Sequence, residues 1–288
     1  MIIFNTKGGL GNQLFQYAFG RYLSLKYKQQ LYLDITFYNN TTQHRSYGLN
    51  KFSIEEGVIV TADFSKFKWL KNPFVRRIVS YLPSIFSVYI ERRVSPFYST
   101  LLEQDRGYFD GYWQCEQYFD EIRPVILKEI SLKPAQRSID PMIDLIGTST
   151  SVSIHIRKTD YLNSENKGLY AECTAGYYTR AMEVLSLKFN NPHFFIFSDD
   201  YTWVKNNIVF NHTHTFMDAS NEPEEDLHLM RLCNHNIIAN STFSWWGAWL
   251  NSNPDKVVIA PERWFFDDEK FKNNVVPSGW LKVRNDGR

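Results

Sequence analysis

The chain is poor in cysteine and carries no surplus of either charge. Its 288 residues include only Cys115, Cys173 and Cys233. They are odd in number, far apart and without metal-ligand spacing. That fits a reduced cytoplasmic protein better than a disulfide scaffold. Lys plus Arg number 32 against 31 Asp plus Glu, a net charge of +1. Such balance argues against nucleic acid as the main partner, which wants a basic surplus. No stretch reaches the roughly 20 apolar residues of a membrane span. The start, Met1-Ile2-Ile3-Phe4-Asn5, lacks the basic region and long apolar core of a signal peptide and reads as a first strand. The nearest approach to an apolar run, Ile78 to Ile90, is broken by Pro83 and serines. Arg76, Arg77, Arg92 and Arg93 flank it, with Tyr81, Phe86 and Tyr89 between. A packed helix pair with basic ends is the commoner reading; docking on an anionic membrane surface is the other.

Aromatics are plentiful at 16%. Most belong in a core, although their faces also suit sugar rings. Length allows one large domain or two modest ones. Residues 1–35 read as strand, glycine-rich turn, helix and strand, a βαβ beginning. Residues 36–110 show no clear order. Tyr118 to Ile130 reads as one helix. Pro134 to Thr150 is punctuated by Pro, Ser, Gly and Thr and is the expected boundary, giving halves 1–145 and 146–288. Beyond it strands and helices alternate. The strands are Val152–Ile156, Phe194–Ser198, Thr213–Met217, Asn236–Ala239 and Lys256–Ala260. The intervening helices are Tyr177–Phe189, Thr202–Asn207, Glu224–Cys233 and Phe243–Leu250. Repeated β-α-β units imply a parallel sheet with right-handed crossovers. The expected fold class is α/β, two such halves with a cleft between them.

Four stretches carry candidate chemistry. In Ser153-Ile154-His155-Ile156-Arg157-Lys158-Thr159-Asp160-Tyr161, apolar and polar residues alternate with period two. His155 and Arg157 then share a face at a strand end, where ligands of α/β folds sit. A guanidinium there suits a phosphate, because its planar fork donates two hydrogen bonds; a surface salt bridge is the plainer alternative. In Ile237 to Trp246, a buried strand ends in Asn240, Ser241 and Thr242 before an aromatic helix. Ser241 or Thr242 would cap that helix; hydroxyls beside free N–H groups also make an anion site. Phe197-Ser198-Asp199-Asp200 is a third strand end. Neighbouring aspartates face opposite ways and chelate poorly together. One suits a ribose or base, and the other the cap of the next helix. Gly8-Gly9-Leu10-Gly11-Asn12-Gln13 is neither a Walker loop nor a full dinucleotide fingerprint. It serves a tight turn, or close approach of backbone to a ligand. The acidic stretch Asp218 to Asp226 favours the start of the following helix; His235 and Cys233 read as structural.

Together these stretches resemble the bacterial α-1,2-fucosyltransferases, glycosyltransferase family eleven. The resemblance rests on Gly8 to Tyr17, His155 to Tyr161, Ser198-Asp199-Asp200 and Asn240 to Trp246, in family order, and runs from the first strand to about Pro261. It implies a GT-B-like fold of two Rossmann-like halves. It implies GDP-fucose as donor, the 2-hydroxyl of a terminal galactoside as acceptor, and inversion at the fucose anomeric carbon without metal or other cofactor. Residues 146–288 would bind GDP-fucose and residues 1–145 the acceptor. Arg157 would hold the pyrophosphate; His155, Lys158 and Asp199 would help hold the nucleotide. Asn240, Ser241, Thr242 and Ser244 would add contacts, as would Gly9, Gly11, Asn12 and Gln13. Arg157 also acts in catalysis, with Asp160 the first candidate base and Glu165 the second. Two departures stand out. Lys158 replaces a usual second Arg, and Gly176 precedes Tyr177-Tyr178 where many members have an acid. Another GDP-sugar transferase, or a saccharide-binding protein of the same fold, are the alternatives. The expected setting is bacterial and cytoplasmic, peripheral to the inner membrane at most, in surface polysaccharide (O-antigen) synthesis. Acceptor structure beneath the galactose and oligomeric state are not encoded legibly.

Overall fold

The structure, a computed structural model, describes residues 1–39, 45–54, 58–61, 65–91, 96–133, 139–158, 168–267 and 274–285. The chain forms two units. One comprises Met1–Lys133 with Phe271–Val275, the other Pro134–Lys270 with Val276–Arg288. Each is built on a parallel sheet.

In the first unit, β1 (Ile2–Asn5), β2 (Leu31–Asp34), β3 (Val58–Thr61), β4 (Val88–Ile90) and β5 (Gly107–Asp110) stand in the order β3-β2-β1-β5-β4. The helix Leu10–Tyr27 follows β1 and is buried almost all round. Gly20 allows its close approach to the sheet: a Cβ there would lie 2.7 Å from a Leu31 methyl and 2.9 Å from the Phe4 ring. Most aromatics here are core, as composition implies. Phe4 stacks on Phe109 at 4.6 Å, and Phe19 meets both edge-on.

The expected helix Tyr118–Ile130 is instead two 3-10 turns, Glu116–Tyr118 and Asp120–Ile122, followed by helix Arg123–Glu129. Pro124 is the cause. It is tolerated in a first helical turn and not in a helix interior, so the helix must begin there. The basic stretch after residue 72 forms two short helices, Pro73–Val79 and Pro83–Phe86, and then β4.

The second unit follows the sequence pattern closely. β6 (Ser151–Ile156), β7 (His193–Ser198), β8 (His214–Phe216), β9 (His235–Ile237), β10 (Val258–Pro261) and β11 (Leu281–Val283) form a six-stranded sheet. The order is β11-β10-β9-β6-β7-β8. Intervening helices are Ala175–Lys188, Tyr201–Asn207, Pro223–Leu232 and Thr242–Leu250, with Asp140–Gly147 ahead of β6. The period-two pattern of β6 does not separate a wet face from a dry one, since all six residues are buried. A parallel sheet covered on both faces requires this. Val152, Ile154 and Ile156 pack under the helix Ala175–Lys188. Ser151, Ser153 and His155 alternate with them.

Ser153 belongs to a buried network. Asn236 of β9 donates to Ser153 Oγ (2.7 Å) and to the Met230 carbonyl (2.9 Å). Asn251, just past the helix Thr242–Leu250, donates to Asn236 Oδ1 (2.8 Å) and to the Cys233 carbonyl (2.7 Å). The network ties β6, β9 and that helix together. Asn236→Ala strips partners from two buried polar groups and is expected to cost about 2–4 kcal/mol. Urea titration of the full chain tests this; a loss below 0.5 kcal/mol would refute the role.

Candidate active site

From β6 the chain steps to β7 and β8 on one side, then returns past β6 to build β9, β10 and β11 on the other. The crossovers after β6 and after β9 leave in opposite directions. A crevice opens between their carboxyl ends, where ligands of such sheets bind. Arg157 follows β6 directly, and Asn240-Ser241-Thr242 follows β9. Ser153 pairs with Asn236 and Ile154 with Ile237 in parallel register. The Arg157 Nη1 donates to Ser241 Oγ across the crevice at 3.5 Å.

Ser241 is the N-cap residue of the helix Thr242–Leu250, yet its side chain makes no capping hydrogen bond. The Trp245 N–H donates to the Ser241 carbonyl at 3.0 Å. Ser244 Oγ donates to that same carbonyl at 3.3 Å. The helix start beside Arg157 therefore combines partial positive charge with a hydroxyl turned toward the guanidinium rather than along the helix.

His155 lies one pleat beneath Arg157 on β6. It is buried, and its Nδ1 has no hydrogen-bond partner among the described residues. Its ring lies 5.6 Å from that of Phe243. Burial, and secondarily the Arg157 charge, push its pKa down to about 3, against the opposing pull of Asp199. His155 is thus a neutral ring carrying one unsatisfied polar atom.

Asp199 and Asp200 divide their work. Asp199 Oδ1 accepts from Lys158 N at 2.8 Å, which ties the tip of β7 to that of β6. Asp200 caps the helix Tyr201–Asn207 through Trp203 N at 2.8 Å. The two carboxylates do not converge, and among the described residues no group of three His, Cys, Asp or Glu is placed to hold a metal.

Several residues expected at the nucleotide have internal partners. Lys158 Nζ donates to Glu172 Oε1 at 2.6 Å and sits 3.9 Å above the Trp203 ring. Asn240 donates to the carbonyls of Ala171 and Trp264, and its Oδ1 accepts from Cys173 Sγ. In the first unit, buried Gln13 donates to the Gly8 and Ser46 carbonyls and accepts from Gly48 N. Asn12 Oδ1 accepts from Gln114 Nε2 at 2.9 Å. Gly8 has φ +80°, and Gly9 caps the helix Leu10–Tyr27 through backbone alone. Gly11 is buried in its first turn. This loop is a braced turn built on side-chain amides. Asp160 and Glu165 lie outside the described residues.

One cluster escaped the sequence reading. At the tips of β1 and β5, buried Asp110 accepts from Lys7 Nζ (2.5 Å), Asn5 Nδ2 (3.0 Å) and Arg76. Burial pushes the Asp110 carboxyl up, but Lys7 and Arg76 together hold it below its ordinary range. Its partners lie up to 105 residues away in sequence, so no local motif announces it.

A family model described as Glycosyl transferase family 11 matches residues 95–284. The chain belongs to glycosyltransferase family 11. Two Escherichia coli relatives span nearly the whole of it. An α-1,2-colitosyltransferase is 34% identical over 98% of this chain and 99% of its own. The O-antigen biosynthesis glycosyltransferase WbnK is 32% identical over 96% and 98%. The rat galactoside α-(1,2)-fucosyltransferase 2 is 28% identical over 53% of this chain and 46% of its own. Among solved structures, the NodZ α-1,6-fucosyltransferase soaked with GDP-fucose superposes with a TM-score of 0.50 at 16% identity. It covers 88% of this chain and 97% of the other. At that identity the likeness is one of fold, which is GT-B-like with two Rossmann-like units. The chain is therefore a family 11 glycosyltransferase with the α/β architecture the motifs imply.

A neutral buried His155 makes stability depend on pH. Its folded pKa lies below the unfolded value near 6.5, so the unfolded chain binds the extra proton between about 6.5 and 3. Stability is therefore lost as pH falls through that window, at up to about 1.4 kcal/mol per pH unit for one proton. Asp226 works oppositely. Burial raises its pKa to about 6, so its contribution falls as pH rises toward 6. His155→Gln should flatten the acid limb of a pH series of urea midpoints, and Asp226→Asn should steepen it. An unchanged slope in His155→Gln would contradict the neutral assignment.

Proposed function

We propose that this glycosyltransferase transfers L-fucose from GDP-fucose to the 2-hydroxyl of a terminal galactoside, with inversion and without a metal. The observation that carries the reading is Arg157 set opposite an uncapped helix start at the switch point of the second sheet. The acceptor oxygen attacks the anomeric carbon, and the bond from that carbon to the β-phosphate oxygen breaks. The acceptor proton passes to a base, and GDP leaves with added negative charge. Arg157 and the first N–H groups of Thr242–Leu250 stabilise that charge as it develops. The hydroxyls of Ser241 and Thr242 add phosphate contacts, with Ser244 supporting the turn. Asp199 and the free Nδ1 of His155 hold the nucleotide. Lys158 and Asn240 act through others: Lys158 fixes the β6 tip, and Asn240 fixes the backbone at Ala171 and Trp264. Asp160 is proposed as base, and Glu165 in its absence, on sequence position alone.

A second reading has specific support. The relative that is 34% identical over nearly the full length is named for colitose, not fucose. In that reading the same phosphate site serves a colitosyl nucleotide. Surface polysaccharide synthesis suits both, given the O-antigen relative.

Incubation with GDP-fucose or the colitosyl nucleotide, a galactoside, and EDTA in half the samples decides the donor. Fucosyl transfer unaffected by EDTA is expected. Transfer from the colitosyl nucleotide alone would replace the donor, and no turnover of any sugar nucleotide would leave a saccharide-binding protein. Arg157→Ala should lose GDP binding by calorimetry and about a hundredfold in rate; unchanged affinity refutes the phosphate assignment. Asp160→Asn with near-normal turnover removes Asp160 as base.

A further inference from the structure

Nineteen large apolar side chains stand exposed among the described residues, and seven of them fall within positions 69–86. They include Trp69, Phe74, Ile78, Tyr81, Ile85 and Phe86. Phe74 and Ile85 are 71% and 73% exposed. Folding explains the opposite face: Val79 is buried with Leu70, Val88 and Tyr108, and Val75 packs beside them. Phe74, Arg77, Ile78 and Tyr81 recur at the three- and four-residue spacing of the other face.

The charge on this segment has one sign. Residues 65–90 contain five Lys or Arg and no Asp or Glu. Arg76 is engaged by Asp110, whereas Lys68, Lys71 and Arg77 lie on the exposed side. A groove of about 380 Å³ opens beside them, lined in part by Arg76, Arg77, Tyr81 and Glu91. Protruding apolar and aromatic side chains interleaved with cations match an anionic bilayer, whose interior takes the former and whose headgroups attract the latter. Trp69 and Tyr81 have the amphipathic rings that favour a membrane boundary. A second copy of this face would oppose several cations with Glu91 the one carboxylate in the groove lining, a poorer match than an anionic surface.

We propose that residues 68–86 dock the first unit on an anionic phospholipid surface. Among the described residues no helix is long and apolar enough to cross a membrane, so the contact is peripheral.

Sedimentation of the full chain with vesicles of phosphatidylcholine alone, or with phosphatidylglycerol added to about a third, provides the test. The expected result is binding to the anionic vesicles only, weakened by salt. Phe74→Ser with Ile85→Ser should lower the partition coefficient at least tenfold at an unchanged melting midpoint. Lys68→Gln, Lys71→Gln and Arg77→Gln together should lower it about a hundredfold, at roughly fivefold per cation. Soluble glycerol phosphate at millimolar concentration should not compete; competition would reduce the site to a headgroup pocket and overturn the surface. Equal binding to both vesicles, no binding, or unimpaired variants would also overturn it. So would concentration-dependent dimerisation that the Phe74→Ser and Ile85→Ser pair abolishes without any vesicle binding.

Discussion

The second unit depends on the seam between β6 and β9. These two strands are neighbours in the sheet but lie some eighty residues apart in the chain, paired as Ser153 with Asn236. Register there cannot be set by a tight turn, because the connection passes, among the described residues, through three helices and two other strands. It is set by side chains. Asn236 reaches Ser153 within the sheet and Asn251 below it, and each polar atom so engaged would be costly to strand in a buried position. A slip of one residue would break those bonds and turn every side chain of β6 to the wrong face. Arg157 and Ser241 stand a few residues beyond the same seam, so the network that fixes the register also fixes their separation.

Charge at the seam is arranged economically. Two cations leave the tip of β6, but only one is directed at the crevice. Lys158 is neutralised by Glu172 and covered by Trp203, while its backbone N–H binds Asp199. His155 is kept neutral by burial and by Arg157 itself. Arg157 stands beside a helix start, close to the buried His155 ring. A fixed positive potential in a partly buried crevice acts on a leaving anion more strongly than the same charges would in water. The first unit resolves its own switch point differently. There Asp110 is enclosed by Lys7, Asn5 and Arg76, so the tips of β1 and β5 carry a closed ion-pair cluster.

The second unit was legible in the sequence because each of its signals is local. Strands are short apolar runs, helices start at Asp200, at the Glu222–Glu225 capping box or at Ser241, and boundaries fall within a few residues of those expected. The first unit was not legible. β3 and β4 are short, β3 is partly exposed, and β5 joins β1 only through pairing over a hundred residues. Pro124, with no N–H to donate, sets the start of the helix Arg123–Glu129. Site residues divided on the same principle. Arg157, Ser241 and Asp199 stand at strand tips, as the alternation implies. Gln13, Asn12 and Asn240 lie in motifs as conspicuous as those, but an amide that braces a loop and one that grips a ligand have the same sequence appearance.

The same contrast separates what the family fixes from what it leaves open. An anion needs full charges and oriented N–H groups, and a doubly wound sheet supplies them at its switch point whatever the rest of the ligand. In the proposed reading these features lie at the ends of β6 and β9 and at the start of the helix that follows. A sugar differing at one ring position is distinguished by one or two neutral hydrogen bonds or apolar contacts, each worth about 1–3 kcal/mol. Those contacts can be altered by single substitutions in loops without disturbing the seam. Relatives that share the scaffold but are named for different sugars, colitose in one and fucose in another, are what this division produces. In the proposed reading, the phosphate end of the donor is held by the fold and its sugar end by the loops around it.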